Sequence, residues 1–239
     1  MRPRILGLLL LFVTSAPMAH GETIVLTSVR DNTLFEDAQG DTSNGSGPSV
    51  FCGRISQGRI RRSLVMFDVS ALPTSAIIDS VELELHMASS SDLEPRVLAL
   101  HRVLAAWGEG ASFSSGGQGA PAEPGDATWL HTSYPNSYWS QPGGDFAATP
   151  SDTVTVQQSE GDYVWRSEAM TDDVRGWTQQ TTPNCGWILL GDESVPNTAR
   201  RFDSRESSTT SYRPRLVIHY SVPTDVVPMT WGKIKIRYR

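Results

Sequence analysis

The chain has 239 residues, of which 38% are hydrophobic and 19% charged, and it contains 20 Gly and 15 Pro. This composition is too apolar for a disordered chain and too rich in Gly and Pro for a helical bundle. The 20 basic and 26 acidic residues give a net charge of -6, which argues against a nucleic-acid partner because such a protein needs a basic face. We therefore expect a loop-rich β protein.

The N-terminus has the parts of a secretion signal. Two arginines precede the apolar run at residues 5–13, and small residues follow at Ala19 and Gly21. The run is too short to span a bilayer, and it suits a signal peptide that is cleaved after either small residue. We predict a signal peptide over residues 1–21, no transmembrane anchor, and an extracellular or cell-surface location.

Alternation of apolar and polar residues predicts the strands. The clearest case is residues 80–87, where Val81, Leu83, Leu85 and Met87 share one face. Clusters rich in Gly, Ser and Pro separate this run from the others. Similar patterns predict further strands at residues 23–29, 63–69, 96–103, 186–190 and 215–220.

One segment, residues 168–179, has a helical pattern. Met170, Val174 and Trp177 fall on one stripe, and Thr171 or Asp172 could cap the start of the helix. Many short strands, one short helix and a long Gly/Ser/aromatic loop are typical of an all-β antiparallel β-sandwich, for which we predict jelly-roll topology. No linker interrupts residues 22–220, which we interpret as one domain.

A series of short segments occurs in an order that resembles a known family. The segments are SNGSGP at 43–48, RRSLVMFDVS at 61–70, IDSVEL at 78–83, WGEG at 107–110, DATW at 126–129, GGDF at 143–146, NCGWILL at 184–190, FDSRE at 202–206 and RPRL at 213–216. Together they resemble the DNRLRE-type modules, a disaggregatase-related family that overlaps carbohydrate-binding module family 96. The resemblance runs from about residue 23 to residue 220 and implies a secreted β-sandwich that binds polysaccharide.

Two local features qualify this resemblance. Residues 31–36 echo the motif that gives the family its name, with Thr33 and Phe35 where Arg would stand. Cys185 occupies a position where the resemblance leads us to expect an aromatic residue. Local packing around Cys185 is therefore expected to differ from that of the family.

The longest irregular stretch, residues 108–150, concentrates aromatic and acidic side chains, and a loop of this length suggests function. Aromatic faces can pack on the C–H faces of sugars while carboxylates bind the hydroxyl groups, so the stretch suits a polysaccharide or cell-surface glycan. The alternative is that the aromatic residues fix the loop to the sandwich. The candidate glycan-binding residues are Glu109, Trp129, His131, Tyr134, Tyr138, Trp139 and Asp145, of which Trp129 favours the anchoring role and Tyr134, Tyr138 and Trp139 favour a binding platform.

Two smaller sets of residues leave two interpretations open. Asp37, Asp41 and Asn44 could ligate calcium, although such residues in turns also bond their own backbone. Cys52 and Cys185 could form a disulfide in an oxidising compartment, or lie apart as small buried side chains. We expect no required cofactor.

Charged residues late in the chain indicate ion pairs. Arginine can bind a carboxylate through two parallel hydrogen bonds, which would hold a loop-rich sandwich together. The predicted networks join Asp192, Glu193, Asp203, Arg205 and Glu206 with Arg61, Arg62, Arg200 and Arg201.

Residues 221–239 form a Pro-spaced linker and a basic tail. From Trp231 to Arg239 basic and apolar residues alternate, and both lysines of the chain are here. A sorting or surface-attachment signal, an electrostatic contact with an anionic polymer and a final strand are the alternatives.

We predict a secreted, non-catalytic polysaccharide-binding module. A structural or adhesive cell-surface protein without glycan binding is the alternative. The third hypothesis is a polysaccharide-cleaving enzyme that uses Glu109 with Asp126 or Asp145 as acid and base. No nucleophile elbow, P-loop or HExxH motif occurs in the sequence.

Overall fold

The computed structural model describes residues 20–223, and most of the predicted signal peptide and the whole predicted tail from Trp231 to Arg239 lie outside this range. One α-helix, α1, covers Glu168–Thr178, and a 3-10 turn covers Thr210–Tyr212. The strands are β1 His20–Phe35, β2 Thr42–Ser43, β3 Ser49–Arg54, β4 Ile60–Phe67, β5 Ile77–Ser90, β6 Arg96–Arg102, β7 Ala120–Pro121, β8 His131–Ser133, β9 Ser137–Tyr138, β10 Asp152–Val156, β11 Gly161–Trp165, β12 Trp187–Leu190, β13 Arg200–Asp203 and β14 Arg215–Val222.

Six antiparallel strands form a closed ring in the order β1, β14, β5, β13, β3 and β4. The ring closes because β1 changes partner along its length: residues 20–27 pair with β14, and residues 28–35 pair with β4. β3 changes partner in the same way, from β13 to β4. The sheet then continues from β4 through β12 and β6 to β10, while β11 adds to β5. β1 starts at His20, so cleavage after Ala19 would leave this strand whole.

The main core fills the space between these strands. Its largest fully buried members include Trp165, Trp187, Phe67 and Phe202. Trp187 lies between Phe67 and Trp177, with ring centroids 6.5 and 4.5 Å away. Aromatic side chains bury large apolar areas, so the mutual packing of these rings contributes strongly to the stability of the core.

β4 and β12 are buried on both faces. Val65 and Leu189 point into the main core, whereas their neighbours Leu64 and Ile188 belong to a second core on the opposite face. The uninterrupted apolar runs at residues 64–67 of β4 and 187–190 of β12 are the pattern expected of strands buried on both faces. The second core consists of Leu34, Leu64, Val103, Trp107, Ala127, Trp129, Trp139, Cys185 and Ile188.

The predicted all-β class is confirmed, and the predicted strands and helix are present. Met170, Val174 and Trp177 form the buried stripe of α1, as predicted. The predicted cap is wrong, because the side chain of Ser167 accepts the hydrogen bond from the Met170 amide at 3.0 Å. Ser167 also donates to the Ser151 carbonyl at 2.5 Å, which ties the start of the helix to the end of the long loop.

The two cysteines are free and buried. Cys52 lies in the main core and Cys185 in the second core, so the doubly buried sheet separates them. The structure therefore agrees with the second interpretation, in which the two cysteines lie apart as small buried side chains. Burial raises the pKa of the Cys52 thiol to about 12, which keeps it protonated and unreactive.

Candidate functional site

The long loop between β6 and β10 folds back over the outer face of β4 and β12. Its three tryptophans, Trp107, Trp129 and Trp139, are buried in the second core. The indole N–H of Trp107 donates to the Cys185 carbonyl at 2.9 Å, and that of Trp139 donates to the Thr128 carbonyl at 2.9 Å. These rings fix the loop to the sheet, and neither Trp129 nor Trp139 presents a free face to a ligand.

The β8–β9 hairpin holds three of the predicted binding residues. His131 is buried, and its Nδ1 lies 2.9 Å from the Thr128 hydroxyl and 3.1 Å from the Gly40 carbonyl oxygen. Tyr138 packs on the His131 ring at 4.3 Å and Tyr134 meets it edge-on at 5.1 Å. Tyr138 is exposed and Tyr134 is half-buried, so Tyr138 is the member of this group that offers an aromatic surface.

Asp145 lies in a tight turn that follows the hairpin. Its Oδ1 accepts from the Ser140 hydroxyl at 2.6 Å and the Gln141 amide at 3.2 Å, and its Oδ2 accepts from the Ser140 amide at 2.8 Å. A carboxylate has about four acceptor positions. Oδ2 therefore keeps one position for a ligand.

A cleft of about 500 Å³ opens at this turn, and we call it the loop cleft. Its lining combines the apolar side chains of Leu104 and Phe146 with hydrogen-bonding groups of the turn. Sequence reasoning did not single out Leu104 or Gln141 as site residues. The lining residues are Arg62, Leu104, Ser140, Gln141, Pro142, Gly144, Asp145, Phe146 and Ala148.

Arg62 forms the wall of the loop cleft that comes from the sheet. Its guanidinium carbon lies 5.0 Å from the centre of the Trp129 ring and 5.3 Å from that of Phe146. Glu193 binds its Nε and Nη2 at 2.8 and 2.9 Å, and the Gly143 carbonyl accepts from Nη1 at 2.8 Å. Three of the five N–H groups are used in this way, and two remain. The predicted pairing of Arg62 with Glu193 is present.

Glu109 does not line the loop cleft. Its carboxylate binds Arg205 at 2.6 and 2.8 Å and accepts from the Asp31 amide at 2.9 Å. Arg205 also pairs with Glu206 at 2.9 Å. The carboxylate oxygens of Asp31, Glu109 and Glu206 lie within 4.8 Å of one another, close enough to share a cation. Arg205 supplies positive charge to this cluster.

Burial raises the pKa of the Asp31 carboxyl well above its usual range, and the charge of Glu206 adds to the rise. The native state therefore holds the Asp31 proton to a higher pH than the unfolded chain does. Stability contributed by the neutral form is present below about pH 4 and is lost as the pH rises towards the native pKa.

We expect Asp31→Asn to lose less stability than the wild type between about pH 4 and about pH 7, because its side chain cannot ionise. Its side-chain oxygen can still accept from the Arg205 amide, which lies 2.8 Å from Asp31 Oδ2. Urea unfolding midpoints across this range measure the effect. Asp79→Asn, which removes an exposed carboxyl, is the control. Parallel pH profiles for Asp31→Asn and the wild type would contradict the expectation.

Of the candidate calcium ligands Asp37, Asp41 and Asn44, Asp37 and Asn44 already have hydrogen-bond partners in the protein. Asp37 accepts from the Gln39 and Asp41 amides and from the Thr42 hydroxyl. The Asn44 side chain is buried elsewhere, where it accepts from the Ser114 amide at 2.6 Å and donates to the Ser49 carbonyl at 3.2 Å. The bonds of Asp37 match the turn interpretation, and Asn44 is held by other segments of the chain. The calcium site stays a prediction.

The sequence matches no protein-family model and no curated protein significantly. The resemblance to DNRLRE-type modules therefore stays a prediction. Across residues 20–223, no helix is both long and apolar enough to cross a membrane.

Proposed function

We propose that this protein is a secreted, non-catalytic polysaccharide-binding module and that the loop cleft is its glycan site. The observation that carries the proposal is the combination of apolar and hydrogen-bonding surfaces in one open cleft. Leu104 and Phe146 offer surfaces for the C–H faces of a sugar ring. Asp145 and Arg62 keep free hydrogen-bonding positions for its hydroxyl groups. A small number of polar groups placed among apolar side chains is characteristic of ligand sites.

Tyr138 extends this site along the chain. It lies two residues before Ser140, a lining residue of the loop cleft, and its ring is exposed. A polysaccharide that fills the cleft could continue over this ring. The proposed site thus keeps Tyr138 and Asp145 from the sequence-based set and adds Arg62, Leu104 and Gln141.

The finer fold assignment and the location are part of the same proposal. We infer that the closed ring is a form of the jelly-roll sandwich, because its first and last strands pair side by side and its core is enclosed between strands. Secretion is supported by the N-terminal sequence pattern, and the resemblance to DNRLRE-type modules supports a glycan as the ligand.

Retention of the full chain on insoluble and soluble polysaccharides, neutral and acidic, tests the proposal. We expect one class of glycan to be retained and Gln141→Ala and Leu104→Ala each to weaken its binding about five- to tenfold, or about 1 kcal/mol. Leu93→Ala is the matched control for Leu104→Ala, since Leu93 is also exposed and does not line the cleft.

No retention on any polymer would overturn the proposal and would favour the structural or adhesive role. Retention that none of the cleft variants changes would place the site elsewhere. A parallel series with EDTA tests calcium, because loss of binding on chelation would show that a cation is required.

A further inference from the structure

A second pocket, of about 300 Å³, collects three arginines, and we call it the arginine pocket. Arg61 comes from β4, whereas Arg200 and Arg201 come from β13. Arg61 and Arg62 are consecutive in the strand, so their side chains point to opposite faces. The arginine pocket shares no lining residue with the loop cleft and is distinct from it. Its lining residues are Phe51, Ile55, Arg61, Ser89, Ser90, Ser91, Gly117, Gln118, Ala199, Arg200 and Arg201.

Arg61 is buried without a carboxylate. It is 1% exposed, and its hydrogen bonds go to two carbonyl oxygens, Ile60 at 2.9 Å and Gly117 at 3.5 Å. Its guanidinium carbon lies 4.7 Å from the centre of the Phe35 ring. Among residues 20–223 no carboxylate lies within 4.0 Å of it. Burial lowers the pKa of Arg61 to about 10, and the nearby charge of Arg59 adds to this, while the more distant carboxylates of Glu36 and Asp37 oppose it.

Arg200 is also buried, and its one carboxylate contact is long. It is 1% exposed, and it donates to the Ser90 hydroxyl at 2.7 Å and to the carbonyl oxygens of Glu94 and Val156 at 2.7 and 3.1 Å. Its nearest carboxylate in the described chain, that of Asp92, is 4.0 Å away. Within that part of the chain, the buried Nε of Arg200 has no hydrogen-bond partner.

The nearby acidic groups are engaged elsewhere. Asp92 binds Arg96 at 2.7 Å, and Asp192 also binds Arg96, at 3.0 Å. Glu193 binds Arg62. Of the predicted ion pairs, those of Arg62 and Arg205 are present, whereas Asp192 pairs with Arg96, which was not predicted. Within the described residues Arg61 has no ion pair, and Arg200 has only the 4.0 Å contact with Asp92.

Burying a charge is unfavourable by several kcal/mol unless an opposite charge and hydrogen bonds compensate it. At this pocket the compensation is incomplete: within residues 20–223 Arg61 has no carboxylate within 4.0 Å, and the one near Arg200, that of Asp92, is 4.0 Å away. An exposed third arginine, Arg201, stands at the same pocket. An anion in the arginine pocket would provide the missing compensation. Carboxylate and sulfate oxygens suit the planar N–H fork of arginine.

We propose that the arginine pocket binds a carboxylate or sulfate group of an acidic polysaccharide. The hydroxyl group of Ser89 and the side-chain amide of Gln118 add donors at its edge, whereas the hydroxyl groups of Ser90 and Ser91 donate to the Asp92 carbonyl and to Asn197. The polymer part of this proposal rests on the proposed function, whereas the anion site does not depend on it.

The neighbouring surface supports a polymer rather than a free ion. Arg201 also lines an adjoining pocket of about 330 Å³. There the ring of Tyr212 is stacked on that of His86, with centroids 3.6 Å apart, and His86 Nδ1 lies 2.8 Å from Asp203. A sugar chain whose anionic group is held by the arginines could therefore continue across Tyr212.

The test compares polygalacturonate, dextran sulfate and neutral dextran on the full chain at fixed ionic strength. Arg201→Gln removes the exposed arginine without opening the core, and Arg215→Gln makes the same charge change on β14. We expect Arg201→Gln to bind the acidic polymers at least about tenfold more weakly than the wild type does. Arg215→Gln should bind them as tightly as the wild type. The tighter-binding polymer identifies carboxylate or sulfate as the preferred group.

A second measurement follows the buried arginines directly. We expect the side-chain Nε–Hε NMR resonances of Arg61 and Arg200 to shift saturably with added sodium sulfate. Unchanged resonances together with equal binding of acidic polymers by Arg201→Gln and wild type would overturn the anion site. Saturable shifts with no polymer retained would support the anion site and overturn the proposed function. Retention of a neutral polymer without any response to sulfate would overturn the anion site alone.

Discussion

Trp139→Ala is expected to lower the free energy of unfolding by about 3–5 kcal/mol, because it removes a large ring from a closely packed core and leaves a cavity. The ring is 5% exposed and lies in the second core. Its N–H also donates to the Thr128 carbonyl, which would lose that partner. Urea unfolding at neutral pH measures the difference.

The adjacent residue provides the control. Tyr138 is 64% exposed, so Tyr138→Ala is expected to change the free energy of unfolding by about 0.5 kcal/mol or less. The same substitution should weaken glycan binding if the proposed site extends over its ring. Similar destabilisation by the two variants would contradict the assignment of Trp139 to the anchor and Tyr138 to the surface.

Asn32→Asp is expected to destabilise the protein by at least about 3 kcal/mol at neutral pH, because it would place a charge next to carbonyl oxygens in the interior. Asn32 is fully buried, and its Nδ2 donates to the Glu109 carbonyl at 2.7 Å and the Ser43 hydroxyl at 3.0 Å. Its Oδ1 accepts from the amides of Thr33 and Asn44 at 2.6 and 3.2 Å. The substitution changes little in shape but replaces the donor with an acceptor.

The loss should shrink in acid, since burial favours the protonated form of the introduced carboxyl and protonation restores a donor. Unfolding curves near pH 7 and near pH 5 would show this difference. Asn136→Asp, on the exposed turn of the β8–β9 hairpin, is the control and should change stability little. A loss that does not depend on pH would argue that shape, rather than charge, decides the effect.

Much of the fold could be predicted because alternation and stripe patterns are local. The face of Val81, Leu83 and Leu85 identified β5, and the helical stripe identified α1. The sequence gives less indication of β3 and β13. Nearly every residue of β3 is buried, so no alternation remains, and two of the four residues of β13 are arginines. These strands are defined by their partners, β4 and β5, which local patterns do not reveal.

The candidate site was harder to predict, because neighbouring aromatic residues have opposite environments. Nothing in the pair Tyr138–Trp139 shows which ring faces the sheet until the second core is known. The position of Glu109 at the start of the long loop predicts a binding residue, because the sequence does not show that Arg205, 96 positions later, pairs with its carboxylate. Arg61 and Arg62 look equivalent in sequence, but strand alternation gives one a carboxylate partner and leaves the other without one.

The burial of β4 and β12 on both faces links ligand binding to the integrity of the fold. If the long loop detached, Leu34, Leu64 and Ile188 would form an exposed apolar surface through which copies of the protein could associate. The loop cleft lies between the long loop and the sheet, since Arg62 belongs to the sheet and Asp145 to the loop. A sugar chain bound in the loop cleft would contact both the long loop and the sheet. Its binding would therefore suppress local detachment of the loop and the aggregation that follows it.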